Sequence, residues 1–316
     1  MHAATIVDGE LVWTEQPDPV PGTGEVLVAV RAAGINAADH LQVKGFYPAP
    51  PGSPADIPGL EAAGEVVALG RGASRFAVGD RVMAVVGGGG QGELLVVHER
   101  AAVPVPDGIA WDVAGGFPEA FTTAHDALFT QAGLTVGERV CVHGAAGGVG
   151  TAAVQLAVAT GANVVATVRN HDLRGHVAAL GPGQVDVVDP EGFESHGPFD
   201  VVLELIGGSN LDADIRSLAT GGRISVIGVG GGGAKAEINL LGLMGARGRI
   251  LASTLRARPL EGKATAARAL ESQVLPLLAD GRVHVPVAAT FPMAEAAAAY
   301  ERFAAGAKFG KVVLTA

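Results

Sequence analysis

Residues 140–168 contain no Asp, Glu, Lys or Arg, and a glycine-rich turn breaks this run near its start. A membrane span needs about 20 apolar residues. Here Gly144, Gly147, Gly148 and Gly150 crowd the front, and Gly161-Ala162-Asn163 breaks the back. Two buried elements joined by short turns fit better. Residues 139–143 read as an apolar strand and 149–160 as a helix of small residues, with Gly144-Ala145-Ala146-Gly147-Gly148-Val149-Gly150 between them. Strand, glycine turn and helix in that order form a dinucleotide cradle. Pyrophosphate needs backbone N–H groups at a helix N-terminus and no side chain in its approach. Gly147 and Gly148 leave that approach open, and Gly150 lets the helix pack closely. The spacing departs from G-x-G-x-x-G, because Ala145 stands for the first glycine and Gly144 lies one residue earlier. The alternative is a strand-to-helix turn that binds nothing.

The segments beyond the turn argue against that alternative. Apolar strands are expected at 163–168, 185–188, 200–206 and 223–228, with a helix at 171–180. Near-continuous apolar strands separated by helices predict a parallel sheet covered on both faces. The first hundred residues instead read as short strands and turns. In 25–31, Val26, Val28 and Val30 alternate with Leu27, Ala29 and Arg31, the period of a strand with unequal faces. Further strands are expected at 62–69, 81–86 and 311–314, and a late helix at 293–303. A proline-rich loop at 47–58 and a glycine-rich loop at 87–92 sit on this β scaffold, where binding surfaces tend to lie. At roughly 150 residues per domain, 316 residues make two domains.

Composition removes several function classes. Lys plus Arg number 22 against 32 Asp plus Glu, a formal charge of −10. No basic run offsets it, so a nucleic-acid backbone would be repelled. The N-terminus has no basic region followed by an apolar stretch, so no signal peptide is visible and a cytoplasmic location is expected. The lone cysteine, Cys141, excludes an intramolecular disulfide and every multi-cysteine metal site.

The strand expected at 163–168 decides which nicotinamide is read. An NAD site places an acidic residue at the tip of this strand, bonded to the ribose 2′-OH. Here the tip is Val168-Arg169-Asn170, without a carboxylate. Arg169 can pair with a 2′-phosphate, and Arg174 lies one helical turn further on. NADPH is therefore expected, with Asp172 the residue that would reverse the choice. Ile206-Gly207 and Gly228-Val229 end two later strands on the side where such sheets bind ligands.

Several blocks in order carry a resemblance. Ala33-Gly34-Ile35-Asn36-Ala37-Ala38-Asp39, Pro58-Gly59-Leu60-Glu61-Ala62-Ala63-Gly64, Val78-Gly79-Asp80-Arg81-Val82, His143 to Gly150 and Gly310-Lys311-Val312-Val313-Leu314 resemble the medium-chain dehydrogenase/reductase superfamily. The zinc-free quinone oxidoreductase family is the branch they match. Lys44-Gly45-Phe46-Tyr47-Pro48, Gly88-Gly89-Gly90-Gln91, Phe117-Pro118-Glu119-Ala120 and Leu255-Arg256-Ala257-Arg258 resemble its p53-inducible subgroup. The resemblance implies an α/β fold: a Rossmann doubly wound parallel sheet, residues 118–285, inserted in a GroES-like β-rich catalytic domain, residues 1–117 and 286–316. It also implies that substrate and NADPH meet in the cleft between the two, and that the chain forms a homodimer through the sheet edge near 249–254. The zinc dehydrogenases of the superfamily need thiolate and imidazole ligands. Asn36 stands where their first cysteine would be and Leu60 where their histidine would be, so no metal is expected.

Without a metal, a quinone or an activated enone is the easier hydride acceptor, because its developing charge is delocalised. The protein then supplies position and hydrogen-bond donors. The chain has two tyrosines. Tyr300, on the late helix, reads as packing with an exposed hydroxyl. Tyr47 lies in the loop that the resemblance places at the cleft, and its phenol either donates to a substrate carbonyl or merely covers apolar surface. Asn36 is expected to orient the substrate carbonyl or the nicotinamide ribose, and Asp39 to cap the following segment. Thr123 resembles a position near the nicotinamide. Glu119 serves either a junction hydrogen bond or function, and Lys311 either reaches the cofactor or is solvated. The expected activity is NADPH:quinone oxidoreduction. The alternatives are an NADPH-dependent enoyl or enone reductase and a cofactor-binding protein with little turnover.

Overall fold

The computed structural model describes residues 1–316, which divide into two compact units. The first comprises residues 1–122, 255–306 and 311–316; the second comprises 123–254 and 307–310. The first holds β1 (His2–Val7), β2 (Glu10–Glu15), β3 (Glu25–Gly34), β4 (Glu61–Leu69), β5 (Arg81–Val85), β6 (Leu94–His98) and β7 (Ala102–Pro104). The second holds β8 (Arg139–Val142), β9 (Asn163–Thr167), β10 (Val185–Val188), β11 (Phe199–Glu204), β12 (Leu218–Val226) and β13 (Arg249–Ala252). The chain then returns to the first unit with β14 (Val287–Pro292) and β15 (Lys311–Thr315).

In the first unit β3 is the hub. It pairs antiparallel with β4, β6 and β15 in a sheet of order β14-β15-β3-β4-β5-β7. The alternation expected from the sequence holds: Val26, Val28 and Val30 point into a core with Val66, Leu95, Val312 and Leu314. Each such side chain contributes about 1.5–3 kcal/mol of burial. Tyr300 departs from expectation. It is only 5% exposed, and its hydroxyl donates to Gln91 Oε1 at 2.9 Å. The alanines of its helix, Ala296–Ala304, let the helix settle deeply on the core, and a buried phenol then needs a partner.

The second unit is a six-stranded parallel sheet of order β10-β9-β8-β11-β12-β13. The chain winds outward from β8 in one direction and from β11 in the other. This is the doubly wound order, whose ligands bind outside the C-terminal ends of the strands at the switch point, here between β8 and β11. Val140, Cys141, Val142, Val201, Val202 and Leu203 are all buried, as strands covered on both faces must be. The helix Gly148–Thr160 stops at Gly161, whose φ of +85° is left-handed, a conformation glycine adopts without penalty.

Three further expectations shift. The helix at 171–180 is a 3₁₀ turn, His171–Leu173, followed by a short helix, Arg174–Ala178; it contains Gly175, a weak helix former. Residues 255–285, expected with the nucleotide-binding domain, belong to the first unit. Their helix Leu260–Ala269 buries Ala264 and Ala267, and Arg268 donates to the Ala102 carbonyl at 2.7 Å. Residues 307–310 fold with the second unit, where Gly310 N–H donates to the Ala146 carbonyl at 2.9 Å. No helix is long and apolar enough to cross a membrane.

Candidate functional site

From β8 the backbone passes through His143 into Gly144, whose φ of +63° is left-handed. A Cβ on Gly150 would lie 2.4 Å from the Gly144 carbonyl oxygen and 2.7 Å from Ala145 Cα. The helix begins this close to the turn only because residue 150 has no side chain. Gly147 is the N-cap, and no side chain bonds to the amides it leaves open. Its carbonyl accepts the Thr151 N–H at 2.8 Å, while the N–H groups of Gly148, Val149 and Gly150 have no intrahelical acceptor. Ala145 is buried, whereas Gly144, Ala146, Gly147, Gly148 and Val149 keep partial exposure. A helix N-terminus of this kind, electropositive and free of side chains, fits the diphosphate of a dinucleotide.

The ends of β11 and β12 form one structure beside it. Gly207 has φ +132°, and a Cβ there would lie 2.7 Å from the Gly233 carbonyl oxygen. Gly208 and Ser209 donate to the Gly233 and Gly232 carbonyls at 2.8 and 3.0 Å, and Gly231 and Gly232 donate to the Ile206 carbonyl at 3.0 and 2.7 Å. The glycine tract 230–233 is thus a backbone partner of 206–209. Gly228 packs against Leu205, leaving no room for a Cβ, and Ile206 reaches back to within 3.0 Å of where a Gly144 Cβ would stand. Val229 is exposed. Thr123, the first residue of the second unit, is buried.

Arg169 is exposed beyond the end of β9. Arg174 is already engaged: its Nε donates to the Val168 carbonyl at 3.2 Å, and its guanidinium is ion-paired with Asp189. The N–H of Asp172 donates to Asn170 Oδ1 at 3.0 Å, the turn that starts the 3₁₀ segment.

In the first unit a buried polar cluster joins residues far apart in sequence. Lys311 Nζ donates to Glu61 Oε1 at 2.5 Å and to Asn36 Oδ1 at 2.7 Å. Asn36 Nδ2 donates to the same Glu61 oxygen at 3.0 Å, and the Glu119 N–H donates to Glu61 Oε2 at 2.8 Å. Lys311 is 3% exposed and Glu61 fully buried, so Lys311 is not a solvated lysine; burial and the facing carboxylate hold its ammonium in place. Gly34 makes room for the pair, since a Cβ there would lie 2.2 Å from Glu61 Oε1. Asp39 caps, as expected: Oδ2 accepts the Asn36 N–H at 2.8 Å and Oδ1 the Gly59 N–H at 3.0 Å. Burial pushes its carboxyl up to about 6 against the lowering effect of those two bonds and of Lys311. Tyr47 is half-buried and is gripped by Arg256. The Arg256 guanidinium lies 5.2 Å from the Tyr47 ring centre, donates to the Tyr47 and Gly87 carbonyls at 3.0 and 2.9 Å, and bonds Gln42 Oε1.

These features agree with what the chain is similar to. Residues 22–107 match the family of alcohol dehydrogenase GroES-like domains, and residues 160–314 match the zinc-binding dehydrogenase family. The quinone oxidoreductase of Mus musculus is 30% identical over 307 residues, 94% of this chain and 90% of the relative. The chain belongs to the medium-chain dehydrogenase/reductase superfamily. An alcohol dehydrogenase superfamily protein from Novosphingobium aromaticivorans superimposes with a TM-score of 0.87 at 29% identity, covering 100% of this chain and 99% of that one. A mycobacterial protein solved in complex with NADPH gives 0.87 at 26% identity, with both chains fully covered. A phenolphthiocerol/phthiocerol polyketide synthase of Mycobacterium tuberculosis is 33% identical over 303 residues, 93% of this chain. This chain spans only 14% of that synthase and 4% of the Streptomyces halstedii polyketide synthase GfsB, which it matches at 40% identity over 219 residues.

The chain is thus an oxidoreductase of this superfamily, with a cradle suited to a nicotinamide dinucleotide. A zinc ion, which the matched family's description implies, does not fit the donors present. Asn36 offers a carboxamide, Leu60 is core, and the Glu61 carboxylate is already neutralised by the Lys311 ammonium. A dication there would face that ammonium at short range. Sequence reasoning missed Glu61 as the partner of Lys311 and gave Arg256 no task. The buried Glu204 and Asp214 beneath the cradle went unnoticed. Only Glu204 carried a local mark, a charge within the apolar run 201–206.

Proposed function

We propose that this chain is an NADPH-dependent reductase of quinones that works without a metal. The observation that carries the reading is the open helix N-terminus at Gly147–Gly150; within the first unit, a lysine rather than a metal-ligand set facing Glu61 supports a reaction without a metal. NADPH supplies the hydride. The amides of Gly148, Val149 and Gly150 hold its diphosphate, and Arg169 pairs with the 2′-phosphate. Ile206, Gly207, Gly228 and Val229 line the dinucleotide, with Arg174 shaping the turn next to Arg169 rather than binding phosphate itself. Tyr47, held by Arg256, donates its phenolic proton to the acceptor carbonyl. Asn36 and Lys311 fix the polar floor of the first unit, and Thr123 packs beneath the nicotinamide end. The similarity to a quinone oxidoreductase over nearly both full lengths supports the quinone as acceptor. The segments shared with polyketide synthases favour a second reading, because a conjugated acyl chain is an open-chain form of the same acceptor.

The test is NADPH oxidation by the purified chain with a benzoquinone, a naphthoquinone and an acyclic enone thioester. Quinone turnover should exceed the uncatalysed rate, and Tyr47→Phe should lower it at least tenfold while the KM for NADPH stays within about twofold. Faster enone than quinone turnover selects the second reading; NADPH binding without oxidation leaves a binding protein with little turnover. Arg169→Ala should weaken NADPH about tenfold or more and leave NADH unchanged. Equal loss of both would remove Arg169 from the phosphate site.

A second copy of this chain is the proposed partner. β13 pairs only with β12 and leaves an open sheet edge, and the adjacent helix Leu240–Gly245 exposes Leu240, Leu241 and Met244, Leu241 by 80%. Open edges and exposed apolar side chains together favour association. Sedimentation should find a dimer, converted toward monomer by Leu241→Glu; a monomeric wild type refutes it.

A further inference from the structure

Directly beneath the cradle lies a charged cluster that the proposed reaction does not use. His143, the residue before Gly144, is 1% exposed. Its Nδ1 lies 3.1 Å from Thr167 Oγ1 at the end of β9, and its Nε2 lies 2.9 Å from Asp214 Oδ1 on the helix Leu211–Arg216. The same nitrogen is 3.9 Å from Glu204 Oε2 at the end of β11. Cys141 Sγ stands 3.8 Å away, and Phe193 meets the ring edge-on at 4.5 Å. One imidazole therefore ties the ends of β8, β9 and β11 to a helix, all at the switch point of the sheet.

The two carboxylates differ in what else they hold. Glu204 Oε1 accepts the N–H groups of Ile206 and Gly207, and Oε2 accepts Asn210 Nδ2 at 3.0 Å. It shapes the turn that faces the cradle. The Asp214 carboxylate bonds His143 through Oδ1, and its Oδ2 is fully buried with no hydrogen-bond partner. Two buried carboxylates near one imidazole are both ionised only with a positive charge among them; burial raises the Asp214 carboxyl to about 6. By residue type the trio suits a metal ion. Glu204, however, already gives its oxygens to three N–H donors, so a proton on His143 is the better counter-charge.

The geometry points to His143, as a buried imidazolium held by Asp214 and Glu204, as a positioning residue for the dinucleotide: it keeps the 204–210 turn against the 144–150 cradle without touching the ligand. This rests on the reading of 144–150 as the dinucleotide site. Without the imidazolium, Glu204 and Asp214 repel each other in a medium that screens poorly, and the turn is what can move. The titratable groups facing His143 are Cys141, Glu204 and Asp214. Burial alone would lower the His143 imidazole, but the hydrogen bond and charge of Asp214 hold it well above its ordinary range, while burial keeps the neighbouring Cys141 thiol protonated. The charged form is the binding-competent one, so affinity is full below that raised value and is lost as pH rises through it.

Fluorescence titration of NADPH across pH tests this. Wild type measured at the same pH is the reference for every variant, because the NADPH 2′-phosphate itself titrates at about pH 6. His143→Gln removes the cation and leaves both carboxylates; it should match wild type within about twofold near pH 5.5, where Asp214, raised to about 6 by burial, takes up a proton instead, and bind about tenfold more weakly near pH 8.5. Asp214→Asn on that background removes the repulsion and should restore affinity at pH 8.5, and Thr167→Val, which removes only the Nδ1 partner, should show the pH-dependent loss in milder form and serves if His143→Gln does not fold. Wild-type affinity at every pH, or a loss equal at every pH, overturns the inference, as does stoichiometric metal in the purified protein. If wild type itself binds no NADPH, or Gly147→Asp binds it normally, the cradle reading fails instead.

Discussion

Gly147→Asp should leave the second unit folded, slightly stabilise it, and weaken NADPH at least a hundredfold. The N-cap backbone sits at φ −78° and ψ 172°, extended geometry that aspartate adopts freely. A Cβ there would meet only the Gly144 carbonyl oxygen, at 3.5 Å, an ordinary contact. An N-cap carboxylate accepts from the second or third helical amide and favours the helix by a few tenths of a kcal/mol over glycine. It also sits at the positive end of the helix dipole. The same carboxylate then occupies the amides that the diphosphate needs and repels it. Stability and affinity move in opposite directions, which a general folding defect cannot produce. A thermal melt and an NADPH titration on one preparation check it. An unchanged Kd would show that 144–150 is not where the dinucleotide binds. Gly150 offers no such separation, because a side chain there collides with the backbone of Gly144 and Ala145.

That contrast shows which parts of the molecule are written locally. The valines of β3, the apolar strands of the parallel sheet and the strand–turn–helix at 139–160 are short-range patterns, and the periodicity of neighbouring residues discloses them. The cradle was legible because Gly147 and Gly150 answer to Gly144 and Ala145, neighbours within a few positions, although Gly144 also faces the remote Ile206. Tyr300 was misjudged because its hydroxyl partner, Gln91, is remote in sequence. The helix Leu260–Ala269, within the range expected around the parallel sheet, lies in the first unit for a related reason: an alanine-rich helix has one buried face, and nothing local says which sheet receives it. Arg256 illustrates the limit most clearly. Its task is to hold the carbonyls of Tyr47 and Gly87, and backbone carbonyls leave no trace in sequence. His143 and Glu204 were visible only as polar residues in apolar runs, and Asp214 stood among other charged residues with nothing to single it out. Their common meeting point depends on the strand order β9-β8-β11.

The cluster of the first unit depends on the same long-range pairing. Lys311→Met should destabilise the protein by about 3–5 kcal/mol, because it leaves the Glu61 carboxylate buried without its cation. Asn36 Nδ2 and the Glu119 N–H remain as donors, but neither carries charge. Asn36 loses the lysine that its Oδ1 accepts from, so the arrangement at the start of the helix Ala37–Val43 loosens as well. Against a typical total of about 5–15 kcal/mol, this is a large fraction, and a melting point lower by roughly 10 °C follows for a chain of this size. Glu61→Gln on the same background removes the uncompensated charge while keeping an acceptor for the Glu119 N–H. The double variant should therefore recover most of the loss, with a coupling of about 2 kcal/mol or more between the two positions. Denaturant melts of wild type, both single variants and the double variant close this cycle. A single-variant loss below about 1 kcal/mol would mean that the pair behaves like an exposed salt bridge. Additive single losses would mean that the two side chains act separately. Either result would contradict the ion pair, and with it the argument that an ammonium, not a metal, neutralises Glu61.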